Sequence, residues 1–263
     1  MKYELDRVTR SYRGRSGVTR ALDGVSFRVD AGERLAILGA SGAGKTSLFR
    51  LLNGSALPSG GTMRLDGRDV QSMSARELRT LRRRVGVVFQ LPELVPSLSV
   101  RDNALAGRLG HWSALGALRA RFSPPKDDVV RVDAALDAVG LLPKAEARAE
   151  ELSGGQQQRV AIARVVVQEP DVVLADEPFA SLDPALVETV ADLLFGIAAR
   201  GRTLIVALHD VELALKYFPR IIGLRAGKVF FDAPPAEVSP SLLDELYRGG
   251  AEPAAPDPPA VRA

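Results

Sequence analysis

Cysteine is absent from the 263 residues, which excludes disulfide staples and thiolate metal sites. Long hydrophobic runs are absent as well. No stretch approaches the roughly eighteen uninterrupted apolar residues that a membrane-spanning helix requires. The first residues, MKYELDRVTRSY, carry acids and lack the apolar core of an export signal. The chain is therefore expected to stay in the cytoplasm and to serve any membrane through a partner. A strong charge of one sign is missing too. The formal net charge of +3 is mild, and the run Arg76–Arg84 has the pattern of a solvated helix face rather than a nucleic-acid surface. No internal repeat is present. What remains is ordinary for a globular protein, with 46 % hydrophobic and 25 % charged residues. The length can bury one substantial core, or a main domain with a smaller lobe.

Along the chain, strands are expected at Tyr3–Val8 and Ala21–Val29, separated by a Gly/Arg/Ser loop at Arg13–Gly17, and at Arg34–Leu38. A helix should follow over Lys45–Asn53, because Leu48, Leu51 and Leu52 share a face. Pro58–Gly61 reads as a turn and Thr62–Leu65 with Asp66-Gly67 as a hairpin edge. Ala75–Arg84 reads as a charged helix and Val85–Phe89 as a buried strand. From Leu91 to about Val166 the pattern turns helical, taking in Val100–Leu109, an apolar patch with Trp112 near His111–Leu118, and Asp127–Val139. Strands return at Val172–Ala175, Thr203–Leu208, Ile221–Leu224 and Val229–Phe231, with a helix over Pro184–Ala199. Strands alternating with helices imply an α/β fold on a mainly parallel sheet, into which residues 91–166 insert as a helical lobe. The Pro/Ala-rich tail, residues 249–263, is expected to be disordered.

The chemistry concentrates in a few segments. Gly39-Ala40-Ser41-Gly42-Ala43-Gly44-Lys45-Thr46 fits G-x-x-x-x-G-K-[ST] between a predicted strand and a predicted helix, with Ser47 following. Its glycines let the backbone wrap a phosphate, and successive N–H groups and the helix N-terminus face the oxygens. Lys45 is then expected to reach the β- and γ-phosphates, and the Thr46 hydroxyl to ligate Mg²⁺. Val172–Ala175 ends in Asp176 and Glu177. Neighbouring carboxylates on a strand point different ways, so Asp176 can hold the metal shell while Glu177 polarises water. Gln90, at a strand end where the lobe begins, can touch both the metal's water shell and the lobe. His209, after Thr203–Leu208, is placed to donate to the γ-phosphate, and Tyr12, just after the first strand, to stack on adenine.

Leu152-Ser153-Gly154-Gly155-Gln156 opens a predicted helix and forms a second anion site at its N-terminus. One ATP does not need two γ-phosphate sites on one chain. A two-fold, head-to-tail dimer resolves this, since each such turn then meets the nucleotide on the other copy. Ser181-Leu182-Asp183 is placed to cross the same seam.

These segments resemble the ATP-binding-cassette (ABC) ATPase family over nearly all of residues 1–240. GASGAGKT resembles its Walker A motif, Gln90 its Q-loop, LSGGQ its signature and VVLADE its Walker B motif. Ser181-Leu182-Asp183 resembles the D-loop, His209 the switch histidine and Tyr12 the adenine-stacking aromatic. The resemblance implies a P-loop NTPase (RecA-like) core over residues 1–248 with an antiparallel β-subdomain and an inserted α-helical subdomain. It also implies ATP and Mg²⁺ as ligands, an ATP-sandwich dimer and a transmembrane permease partner at the cytoplasmic face of the membrane, fed by a solute-binding protein. A finer likeness is to phosphonate-import ATP-binding proteins, through Ala106–Gly110, the stretch His111–Pro125, LSGGQQQRVAIAR, Ile221–Lys228 and Phe231–Pro235. Leu91-Pro92-Glu93-Leu94 departs from that subgroup's pattern. Importers of amino acids, metals or other oxyanions are the neighbouring alternatives. Non-transport cassettes of DNA repair or the ribosome need coiled-coil insertions or a second cassette, and this chain has neither.

Overall fold

The computed structural model describes residues 1–14, 17–120, 122–180, 182, 184–199 and 201–248. Ser181, Asp183 and the tail from 249 onward, all of which the sequence singled out, lie outside the described residues.

Two sheets organise the chain. The larger has six strands: β3 (Arg34–Leu38), β6 (Val85–Val88), β7 (Val172–Asp176), β8 (Thr203–Leu208), β9 (Arg220–Arg225) and β10 (Lys228–Ala233). Their spatial order is β10-β9-β3-β8-β7-β6, parallel throughout except for β10. The smaller sheet is antiparallel, in the order β2-β1-β4-β5. It contains β1 (Tyr3–Gly14), β2 (Gly17–Val29), β4 (Gly60–Leu65) and β5 (Arg68–Asp69).

The parallel strands are apolar at nearly every position because both faces are covered. Alternation then divides them. Ala36 and Leu38 of β3, Val173 and Ala175 of β7, and Leu204 and Val206 of β8 enter one core. Their neighbours Leu35, Ile37, Val172, Leu174, Ile205 and Ala207 enter the other. The second core is shared with the small sheet, through Tyr3, Leu5, Val25 and Met63, and with α1 (Lys45–Leu52). The first is continuous with the helical lobe. That lobe comprises α3 (Val100–Leu105), a 3₁₀ turn over Ala106–His111, α4 (Ala114–Ala120), α5 (Lys126–Ala138) and α6 (Gly154–Gln168).

Local chemistry sets several helix starts. Ser74 and Glu77 form a capping box at α2 (Ala75–Arg84), and Ser153 with Gln156 forms another at α6. α7 runs over Pro184–Ala198. α8 (Val211–Tyr217) and α9 (Pro240–Tyr247) complete the chain, each behind a side-chain cap, Asp210 and Ser239. The sequence pattern did not reveal these last two helices. Within the expected stretch of helices and loops, residues 100–109 are α-helical only to Leu105, giving way at Ala106 to the 3₁₀ turn, where Gly107 lies against α6.

Candidate active site

Four adjacent strands, β3, β8, β7 and β6, run parallel and release their C-terminal ends at the same edge of the sheet. Residues 39–46 follow β3, His209 follows β8, Glu177 follows β7 and Gln90 lies two residues beyond β6. Binding crevices in open α/β sheets form at such carboxyl ends.

The loop from β3 to α1 is folded tightly enough to demand glycine. At Gly39, φ is +157°, and a Cβ would lie 2.3 Å from the Leu224 carbonyl oxygen. At Gly44, φ is +107°, and a Cβ would lie 2.6 Å from the Ala21 carbonyl oxygen. Lys45 is buried and folds back over this loop, its Nζ donating to the carbonyls of Gly39 at 2.6 Å and Ala40 at 3.3 Å. Burial lowers its pKa, against the pull of Glu177 and Asp176.

Thr46 Oγ1 donates to Asp176 Oδ2 at 3.2 Å. Asp176 is buried, and burial followed by the negative field of Glu177 pushes its carboxyl above the usual range. Beside it, Glu177 takes a left-handed backbone conformation, φ +50°, anchored by its N–H to the Ala207 carbonyl at 3.0 Å. Both of its carboxylate oxygens are engaged. Oε1 accepts from His209 Nε2 at 2.6 Å, and Oε2 accepts from Gln90 Nε2 at 3.2 Å. The structure thus gathers Lys45, Thr46, Asp176, Glu177, Gln90 and His209 into one connected cluster.

Other sequence-selected residues stand apart from this cluster. Tyr12 lies inside β1, not after it, because the β1–β2 hairpin continues to the pair Gly14–Gly17. The Arg10 guanidinium stacks 4.6 Å from the Tyr12 ring centroid and donates to the Leu57 carbonyl. Ser153, Gly154, Gly155 and Gln156 form the first turn of α6. Ser153 Oγ accepts from Gln156 N, Gln156 Oε1 accepts from Ser153 N, and Lys144 also donates to that oxygen. Among the described residues, no hydrogen bond joins this turn to residues 39–46 or 176–177.

One contact between the lobe and the segment after Gln90 escaped the sequence. Arg164 of α6 donates to the carbonyls of Pro92 at 3.2 Å and Glu93 at 3.1 Å, tying the segment after Gln90 to the lobe. No spacing rule signals a contact between residues so far apart along the chain.

Residues 22–180 match the model of the ABC transporter family. Among curated proteins, the phosphonates import ATP-binding protein PhnC of Pseudomonas putida is 47 % identical over 89 % of this chain and 86 % of its own. The protein of the same name from Rhodopseudomonas palustris is 46 % identical over the same shares. Among solved structures, an ATP-binding cassette captured as a post-hydrolysis dimer with ADP and Pi aligns with a TM-score of 0.78. It is 30 % identical over 89 % of this chain and 98 % of its own. A component of a Clostridium perfringens ABC transporter complex aligns at 0.72, with 33 % identity over 89 % of each chain. With a nucleotide-site geometry of this kind and relatives on this scale, the chain belongs to the ABC transporter family, as an ATP-binding cassette.

Proposed function

We propose that this chain is the ATP-hydrolysing subunit of an importer for phosphonate or a related oxyanion. The observation that carries the catalytic part is the placement of Glu177 between Gln90 and His209, beside the Thr46–Asp176 pair. The cargo is inferred from the relatives named for phosphonate import, which align over nearly the whole chain. Among the described residues, no helix is long and apolar enough to cross a membrane. The chain would therefore act peripherally, at the cytoplasmic face, on a separate permease, with a solute-binding protein delivering the cargo.

Residues 41–47 present backbone N–H groups to the phosphates, and Lys45 exchanges its two loop carbonyls for β- and γ-phosphate oxygens. Tyr12 supplies the ring against adenine. The donor set fits Mg²⁺: a hydroxyl at Thr46, a carboxylate at Asp176 and the Gln90 amide oxygen are hard ligands. The described residues hold no cluster of acids or histidines that would cage a metal alone, so phosphates and water would complete the shell. When bound, the cation neutralises phosphate charge as the terminal bond breaks.

The remaining steps belong to side chains. Once nucleotide separates Gln90 and His209 from Glu177, that carboxylate is free to orient water for in-line attack, and His209 steadies the γ-phosphate. Ser153, Gly154, Gly155 and Gln156 of a second copy cap the same phosphate, with Asp183 crossing the seam. Loss of the γ-phosphate removes the charge that joins the copies, and they separate. Glu177→Gln tests this directly. Nucleotide binding should persist, turnover should fall by about 10²–10⁴, and ATP should trap a dimer in size-exclusion chromatography. Wild-type turnover in that variant would sink the assignment.

A further inference from the structure

Two segments unused by the nucleotide site, the arginine run of α2 and the Ala106–Gly110 turn, face each other across one cavity. It is an open surface pocket of about 250 Å³, lined by the exposed Arg79, Arg82 and Arg83 and the half-buried Arg164, with Gln168 and that turn. The turn closes on its neighbours through bare backbone. A Cβ on Gly107 would lie 2.2 Å from the Arg164 carbonyl oxygen, and one on Gly110 would lie 2.9 Å from Arg83 Cγ.

The four guanidiniums have no ion-pair partner among the described residues. Their hydrogen bonds go to backbone carbonyls: Arg79 to Ala75, Arg82 to Gly54, Arg164 to Pro92 and Glu93. Some arginines elsewhere are matched by acids, although Arg10, Arg159 and Arg225 also donate to backbone carbonyls. Arg84 meets Asp171, Arg108 meets Asp128 and Glu169, and Arg220 meets Glu33 and Asp232. Burial lowers the pKa of Arg164, and the nearby Glu93 carboxylate opposes this without cancelling it. The cavity is therefore a pocket of positive charge lacking its counter-charge. Guanidinium forks pair with tetrahedral oxyanions in bidentate fashion. The volume holds one such ion with a few waters, each of which takes about 30 Å³.

We propose that this cavity binds a small free tetrahedral oxyanion, inorganic phosphate or a phosphonate, and that its occupancy slackens the Gln90 segment. The path is short. An anion that draws the Arg164 guanidinium competes with the Pro92 and Glu93 carbonyls, which lie two and three residues after Gln90, the residue that holds Glu177. Accumulated oxyanion would then slow ATP turnover. This second half rests on the ATPase reading above; the binding half does not.

The test uses the full chain with its nucleotide site saturated by a non-hydrolysable ATP analogue, whose γ-phosphate fills the position that ADP would leave open to the titrant. Inorganic phosphate is titrated calorimetrically at ionic strength held constant with chloride. Fluorescence of Trp112, the only tryptophan in the chain and the residue after the 3₁₀ turn, is followed in parallel. Saturable binding is expected, with methylphosphonate competing. In R79Q/R83Q the half-saturating concentration should rise at least about tenfold, as loss of charge-assisted hydrogen bonds implies, while turnover without added phosphate stays at the wild-type level. Absence of saturable heat, or equal affinity in the double variant, would overturn the site. Binding that leaves the phosphate sensitivity of turnover equal in wild type and variant would overturn the control alone. Vesicles containing phosphatidylglycerol form the last arm. If they sediment the wild type and phosphate does not release it, the guanidiniums serve a lipid headgroup and the free-ion assignment falls.

Discussion

The two phosphate-type turns of this chain differ in what they touch. The turn after β3 is woven into its own molecule: Lys45 is buried, Thr46 bonds Asp176, and Glu177 is held by Gln90 and His209. The turn that starts α6 is closed on itself by the Ser153–Gln156 capping box. One has its side-chain contacts made within its own chain. The other makes no hydrogen bond to that cluster among the described residues. The contrast teaches that a motif can be legible in sequence while its own chain offers nothing for it to act on.

The largest effect that could break this comparison comes from mixing two inactive variants. Lys45→Ala removes the loop cation, and Ser153→Arg fills the second turn, so each homodimer should hydrolyse ATP at least about 10²-fold more slowly. Mixed together, they can form one site that is intact on both sides, and turnover should recover to a substantial fraction of wild type. No recovery in a mixture that forms heterodimers would mean that the two turns do not meet across copies.

Gly154→Ala sharpens the same point with a smaller change. Its Cβ would meet nothing within 4 Å, and alanine favours a helix by up to about 1 kcal/mol over glycine. Thermal stability should hold or rise while turnover falls, because only a phosphate pressed on that turn would notice the methyl. Ser153→Ala removes a side-chain cap instead and should cost about 1 kcal/mol of stability by chemical denaturation.

The smallest expected effect concerns Asp176. Its pKa is raised in the folded chain, so the folded state holds the proton more tightly than the unfolded one. That contribution is fully present at acid pH and is lost as pH rises through the folded value. Above the folded value the ionised carboxyl is therefore a modest burden in the nucleotide-free protein. Asp176→Asn should raise the nucleotide-free melting temperature slightly, and the added stabilisation by Mg²⁺ with ATP should largely disappear.

The sheet was legible because its strands are buried on both faces and read as unbroken apolar runs. The loop at 39–46 was legible because glycine, lysine and threonine at fixed offsets serve one purpose. Less visible were elements whose cause is a single cap. Asp210 and Ser239 start α8 and α9 without a long apolar pattern behind them. The outer half of the β1–β2 hairpin, rich in Arg, Ser and Thr, lacks the alternation that marks a half-buried strand, so Tyr12 was read as a loop residue. The bonds of Gln90 and His209 to Glu177 depend on which strands are neighbours, an order that one-dimensional periodicity does not encode.

Because β3, β8, β7 and β6 end side by side, the spacing among the reactive groups is inherited from the lattice of the sheet and owes little to the loops. Inserting one residue within β7 would turn Asp176 and Glu177 to opposite sides and disarm the chain, whereas lengthening a distant helical excursion would leave the four endpoints level. Such a scaffold can vary its outlying helices and loops while its engine stays in tune.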